Sequence, residues 1–138
     1  MLRIELMSWD RARAEASRIR FAVFVEEQRV PAEIELDEQD RACLHALAYL
    51  EGNVVGTGRL LPDGHIGRMA VVRSCRGKGV GSAILRALVE AARARGDAAV
   101  ALSAQTHALE FYRRHGFVEE GEVYEEAGIP HRAMRRAL

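Results

Sequence analysis

The six residues Arg76-Gly77-Lys78-Gly79-Val80-Gly81 are the part of this chain best suited to holding an anion. Glycines on alternate positions let the backbone approach a ligand closely and turn successive amide N–H groups into one concavity. A helix opening at this point adds unpaired amides and a partial positive charge, which suits a pyrophosphate. Arg76 and Lys78 supply cations for charge-assisted hydrogen bonds, and Ser82 follows directly. The spacing is not that of a Walker A loop, G-x-x-x-x-G-K-[ST]. Nor is it the G-x-G-x-x-G turn of a dinucleotide fold, which needs an early βαβ unit.

A second group of residues could act on a cation. Glu26, Glu27, Glu33, Glu35, Asp37, Glu38 and Asp40 crowd one segment with Arg29 alone among them, and Glu119, Glu120, Glu122, Glu125 and Glu126 form another acidic run. Such runs are often solvated loops and strand edges. They also make a negative rim that draws in a cationic substrate. Cys43 and Cys75 share no metal-ligand spacing with each other or with a histidine, so free thiols and no metal are expected. His45, His65, His107 and His115 show no ligand spacing either and read as packing or surface residues.

The elements that must position these groups follow from periodicity. Leu2, Ile4 and Leu6 alternate as in a half-buried strand, and Ala12, Ala16, Ile19 and Val23 recur at helical spacing from Trp9 to Glu26. Pro31 stops that helix, with a short helical turn expected near Glu35. Three strands form a meander: Cys43 to Leu50, Val54 to Leu61 and Ile66 to Val72, separated by Glu51-Gly52-Asn53 and Pro62-Asp63-Gly64. Val80, Ala83, Ile84, Ala87, Leu88 and Ala91 then mark one face of a helix that Gly96 caps. A strand over Ala98 to Leu102, a helix carrying Ala108, Phe111, Tyr112 and His115, and strands near Val118 to Tyr124 and His131 to Leu138 complete the order β-α-β-β-β-α-β-α-β-β. The fold class is α/β (mixed α+β) in one domain over residues 1–138.

The turn after a strand ending Met69-Ala70-Val71 resembles the R-x-x-G-x-G acetyl-CoA motif of the GNAT superfamily of N-acetyltransferases. Gln105-x-x-Ala108-x-x-Phe111-Tyr112-x-x-x-Gly116-Phe117 is similar to that superfamily's N-x-x-A-x-x-F-Y-x-x-x-G-F segment, with glutamine in place of asparagine. Val23 to Gln28, Val30-Pro31, Glu35, Asp37 and Gly128-Ile129-Pro130-His131 resemble the ElaA-like branch. The resemblance implies a GNAT-type central mixed sheet flanked by helices, and acetyl-CoA as cosubstrate. Backbone groups of Met69, Ala70 and Val71 would then hold the pantetheine arm, amides from Gly77 to Ser82 the pyrophosphate, and Gln105 would add a polar contact. A splay between the strand ending at Val72 and the one near Ala98 would form the slot.

The implied reaction is attack of an amine on the thioester through a tetrahedral intermediate. Deprotonating an amine of pKa ~10.4 at pH 7 costs roughly 4–5 kcal/mol, so a base or an apolar pocket is needed. Glu33 and Glu35 are the first candidates for that base and His131 the next, with spacing unable to choose among them. Tyr112 is the candidate partner of the leaving sulfur. Its phenol, with an ordinary pKa of ~10, is a weaker acid than a thiol near ~8.5, so hydrogen bonding rather than proton transfer is the expected role.

Composition bounds the remaining classes. Formal charge is zero, aromatics are few and the arginines are scattered, which argues against a nucleic-acid partner. No apolar run approaches the ~18 residues of a membrane span and the N-terminus lacks a signal-peptide layout, so a cytoplasmic protein is expected. The acceptor is a small-molecule or peptide amine, cationic by the acidic segment, and a homodimer is left open. A non-catalytic acyl-CoA-binding or sensing domain is the alternative, and a phosphoryl transferase lacks the hydroxyl after Lys78 and a strand-end carboxylate for a metal.

Overall fold

The computed structural model of the chain describes residues 1–35 and 37–138, and for Ile34 and Glu35 the backbone only. The elements are β1 (Leu2–Met7), α1 (Trp9–Arg20), α2 (Ala32–Glu35), β2 (Leu44–Leu50), β3 (Asn53–Leu60), β4 (Ile66–Val71), α3 (Val80–Ala94), β5 (Ala99–Gln105), α4 (Leu109–Arg114), β6 (Val118–Glu126) and β7 (Ile129–Ala137). Their order is the expected one. The helix expected over Trp9 to Glu26 changes character at Arg20, where a π-helical stretch, Phe21–Glu27, continues it. Such widened turns often mark functional sites. Beyond Pro31, Ala32–Glu35 forms one helical turn, where a short one was expected near Glu35, and it carries both Glu33 and Glu35.

The sheet is built as two antiparallel halves, β1-β2-β3-β4 and β5-β7-β6. They meet between β4 and β5, the parallel neighbours, through one bridge between His65 and Ala101 and a hydrogen bond from the Ala101 amide to the Gly64 carbonyl at 3.1 Å. Gly64 has φ +93°, and a Cβ there would lie 2.8 Å from the Ala99 carbonyl oxygen, so only glycine permits this closure. From that closed end the two strands diverge toward Val71 and Gln105. β4 also carries an extra residue opposite Thr57–Arg59, with Arg68 at φ +48°, which bends it away from a straight edge.

Alternation along the strands decides which helix covers which face. Ala46 and Ala48 of β2 face α3 through Ile84, Leu85 and Leu88, while Leu47 between them packs with Met7, Ala12 and Ala16 on the α1 side. α3 seats deeply because β3 carries glycines beneath it. A Cβ on Gly56 or Gly58 would lie 2.9 Å from Ile84 methyl carbons. The amphipathic face of α3 is therefore clamped to the sheet, which fixes the position of its N-terminus beside β4.

Candidate active site

A cavity of about 1260 Å³ occupies the divergence of β4 and β5. Its walls are β4 from Ile66 to Val71, the turn before α3, the end of β5, α4, the π-helical stretch and the start of β7. The Val72 amide donates to the Val55 carbonyl of β3 at 2.9 Å. Alternation then turns the backbone groups of Met69 and Val71 the other way, toward the gap. The edge of β4 inside the cavity is thus a row of main-chain groups facing the gap, of which the Val71 carbonyl accepts from Arg76.

At the C-terminal end of β4 lies the glycine turn expected to hold an anion, and it is uncrowded. Gly77 and Gly79 have φ of +77° and +81°, and nothing lies within 4 Å of where their Cβ atoms would be. Gly79 is the residue preceding the 15-residue helix α3, whose first amides open on the cavity at Val80, Gly81 and Ser82. Ser82 is held by His115, Nε2 lying 3.1 Å from its Oγ, so this histidine has a positioning part that spacing did not reveal. Lys78 is exposed on the same turn and does not line the cavity.

Arg76 occupies a place its position in the motif did not suggest. Its Nη1 and Nη2 donate to Glu27 at 2.6 and 2.7 Å, and its Nε donates to the Val71 carbonyl at 3.0 Å. The pair lowers the Glu27 carboxyl below its ordinary value, chiefly through these hydrogen bonds. A single side chain therefore ties the π-helical wall to the β4 wall and covers one of the main-chain acceptors of the gap.

Gln105 closes the gap from the β5 side. Its Nε2 donates to the Gln28 Oε1 at 2.9 Å, Gln28 returns a longer bond at 3.4 Å, and His107 Nε2 donates to the Gln105 Oε1 at 2.7 Å. Tyr112 lines the cavity from α4, its ring edge-on to Phe111 and Phe117. Burial alone pushes its pKa up to about 12. The hydroxyl stays protonated and is a donor awaiting a partner.

The acidic segment is not the bare negative surface expected of it. Asp40, only 2% exposed, takes two hydrogen bonds from Arg20 at 2.9 and 3.0 Å and one from Arg59 at 2.9 Å. Asp37 takes one from Arg59 at 2.6 Å and one from Arg68 at 3.5 Å. Burial pushes both carboxyls up, but hydrogen bonds and charge from Arg20 and Arg59 for Asp40, and from Arg59 and the Gln39 amide for Asp37, outweigh it and hold both below the ordinary carboxylate value. His45, buried against Trp9, donates from Nε2 to the Asp40 carbonyl at 2.9 Å. This cluster fastens the segment to β2 and β3 as part of the cavity wall. Glu33 is exposed and does not line the cavity, and the Glu35 side chain lies outside the described residues. Of the three base candidates, His131 is the one that the described cavity wall contains.

The chain that builds this gap and glycine turn is matched by a family model. Residues 12–138 fit the acetyltransferase (GNAT) domain. This chain belongs to the GNAT family. The uncharacterized N-acetyltransferase YjcF of Bacillus subtilis is 40% identical over 126 residues, covering 88% of this chain and 90% of that protein. Protein ElaA of Escherichia coli is 35% identical over 129 residues, covering 88% and 84%. Among solved structures, an acyl-CoA N-acyltransferase from Pseudomonas aeruginosa superposes with a TM-score of 0.88 at 33% identity, covering 99% of this chain and 100% of the other. The ElaA crystal structure gives 0.85 at 32% identity, covering 99% of both chains. A GNAT chain is an acyltransferase, and its family uses acyl-CoA. Among the described residues, no helix is long and apolar enough to cross a membrane.

The residues present fit a CoA thioester. The open edge of β4 suits the two amides of a pantetheine arm, and the uncrowded glycine amides at the head of α3 suit a pyrophosphate.

Proposed function

We propose that this GNAT protein transfers the acetyl group of acetyl-CoA to a primary amine by direct attack of the amine on the thioester carbonyl. The observation that carries this reading is the gap between β4 and β5, joined at His65–Ala101 and running onto the glycine turn before α3. Met69, Ala70 and Val71 bind the arm along the strand edge. Gly77, Gly79, Val80, Gly81 and Ser82 bind the pyrophosphate, Lys78 adds charge from the exposed side of the turn, Arg76 adds charge once it leaves Glu27, and Gln105 contacts the arm from β5.

Tyr112 hydrogen-bonds the departing sulfur. With its phenol at about 12 and a thiol near ~8.5, handing the proton over is uphill by about 5 kcal/mol. The hydroxyl therefore stabilises developing charge without losing its proton, which is the work of a preorganised donor in a dry site. The acceptor is a cationic small molecule in this reading. Glu26, Glu33, Glu38, Glu125 and Glu126 remain exposed, and they supply the negative field that Asp37 and Asp40 no longer can.

The test is release of thiol from acetyl-CoA across a panel of cationic, neutral and anionic amines, beside thermal shifts with CoA and with ATP. CoA at a hundred times its Kd is expected to add about 2.7 kcal/mol of stability. A shift with ATP but none with CoA overturns the cosubstrate. Thiol release only with anionic amines overturns the acceptor class.

A further inference from the structure

A base that takes a proton from an amine needs a lone pair that faces the cavity and is not already spent on a donor. Of the three carboxylates lining the cavity among the described residues, Glu27 and Asp37 meet this condition poorly, and the third, Glu126, faces His131 itself. Glu27 is held by both Nη atoms of Arg76, and Asp37 by Arg59 and the Gln39 amide. His107 donates from Nε2 to Gln105 and is exposed at the end of β5.

His131 is different. It stands at the start of β7 in register with Gln105 of β5 on one side and Tyr124 of β6 on the other. The residue is 6% exposed yet lines the cavity. Its Nδ1 lies 2.7 Å from the carbonyl oxygen of Ile129. A carbonyl only accepts, so Nδ1 carries the hydrogen and Nε2 of the neutral ring is left with its lone pair. The Tyr124 ring stacks on the imidazole at 6.2 Å between centroids, and the Tyr124 hydroxyl is itself hydrogen-bonded to Ser103 of β5. The ring is thus fixed in both tautomer and orientation. On the Nε2 side, the Glu126 carboxylate lies 3.6 Å away, and its side chain is 55% exposed.

We propose that His131 is the catalytic base of the amine half-reaction, through Nε2, and that Glu126 is its positioning residue. The inference rests on the acetyltransferase reading. Overall, an ammonium and an acetyl thioester become an amide, a thiol and one proton. Nε2 accepts a proton from the ammonium and releases it to water on the open Glu126 side. The amine lone pair forms the C–N bond as the C–S bond breaks, and the second nitrogen proton ends on the sulfur. Glu126 stabilises the imidazolium while it holds the proton. Tyr124 of β6 stacks on the ring, and the other titratable and charged groups on the described cavity wall are His107 beyond β5, Glu27 with Arg76, and Asp37 with Arg59 and Arg68. The facing carboxylates are each paired to a guanidinium, which leaves Glu126 as the carboxylate nearest Nε2 among the described residues.

The experiment measures kcat, acceptor KM and CoA affinity against pH for the wild type, His131→Gln, His131→Ala and Glu126→Gln. In the wild type, kcat/KM rises with pH as Nε2 loses its proton. His131→Gln is expected to lose that rising limb and about 10²–10⁴-fold in kcat, with CoA affinity by calorimetry unchanged. Added imidazole restores part of the rate to His131→Ala. Glu126→Gln keeps the limb but is expected to lower kcat by about 10-fold with acceptor KM and CoA affinity unchanged, because the imidazolium formed in the reaction loses the carboxylate 3.6 Å from Nε2. An active wild type whose rising limb survives in His131→Gln, or a Glu126→Gln variant with wild-type kcat, overturns the proposal. A wild type that releases no thiol with any amine counts against the acetyltransferase reading instead. CoA binding by His131→Gln shows that the variant is folded, and if it neither binds CoA nor melts cooperatively, imidazole rescue of His131→Ala and the Glu126→Gln kcat decide.

Discussion

Arg76 and Glu27 form one ion pair, yet replacing them should move CoA affinity in opposite directions. In the structure Arg76 Nε occupies the Val71 carbonyl, the main-chain acceptor that an amide of the pantetheine arm would use, while both Nη atoms are held by Glu27. An arm lying along β4 must displace Arg76, and the ion pair opposes that. The two side chains are 41% and 31% exposed, so the pair belongs with surface pairs worth about 0.2–1 kcal/mol. Glu27→Gln removes that opposition, and CoA should bind about 1.4- to 5-fold more tightly. The unliganded protein loses the same 0.2–1 kcal/mol, which for an unfolding entropy of about 0.3 kcal/mol/K is a drop in Tm of about 1–3 °C. Arg76→Gln also opens the gap but forfeits a cation beside the pyrophosphate. A charge-assisted contact is worth about 1.5–3 kcal/mol, so after the relieved opposition the net expectation is weaker binding by about 2- to 100-fold. Calorimetric titration of CoA at low and moderate salt reads both variants. Weaker binding by Glu27→Gln, or equal binding by Arg76→Gln, refutes the reasoning, since either result means that Arg76 stays on Glu27 in the complex.

Three further outcomes are expected. Tyr112→Phe should lower kcat by about 10²-fold with CoA Kd unchanged, because its hydroxyl matters when charge builds on sulfur, and unchanged turnover would reduce it to packing. Asp40→Asn removes the buried charge that accepts from both Arg20 and Arg59, which should cost about 3 kcal/mol and lower Tm by about 10 °C in a thermal melt. Asp37 and Asp40 both have folded pKa values below the ordinary carboxylate value, so their contribution is complete above about pH 4 and drains as pH falls through the folded values. The acid side of a Tm–pH curve should flatten in a double Asp37→Asn, Asp40→Asn variant, and an unchanged slope would assign acid unfolding to other groups.

The element order was legible because it rests on local periodicity. α3 announces itself by six apolar residues on one face, and the meander by turns at Gly52 and Gly64. The glycine turn was legible for a related reason, since the positive φ of Gly77 and Gly79 is a property of single residues in sequence. The conversion of α1 into a π-helical stretch at Phe21 was not, because i→i+5 bonding leaves nearly the same apolar spacing as i→i+4. The pantetheine edge was half legible. A strand ending in Met69-Ala70-Val71 can be read, but its divergence from β5 depends on Gly64 meeting Ala99 across 34 residues of intervening chain.

Charge pairing was the least legible level, and it changes what the acidic segment means. Counted along the chain, Arg29 alone faces seven carboxylates between Glu26 and Asp40. In the fold the neutralising guanidiniums come from elsewhere: Arg20 reaches Asp40 across 20 residues, Arg59 reaches Asp37 across 22, and Arg76 reaches Glu27 across 49. No spacing rule encodes such pairs, because the side chains meet through the stacking of α1, β3 and the α3 turn on a common wall. Three of the seven carboxylates are thereby committed to holding that wall, and the search for a free base moves across the cavity to the β6–β7 hairpin. There the geometry is again local. His131 bonds the carbonyl two residues before it, and Glu126 is brought back by the turn at Ala127 and Gly128, both at positive φ. A tight hairpin with two left-handed residues places Glu126 opposite Ile129 and Tyr124 opposite His131, so the carboxylate and the stacking ring reach the imidazole from the same strand.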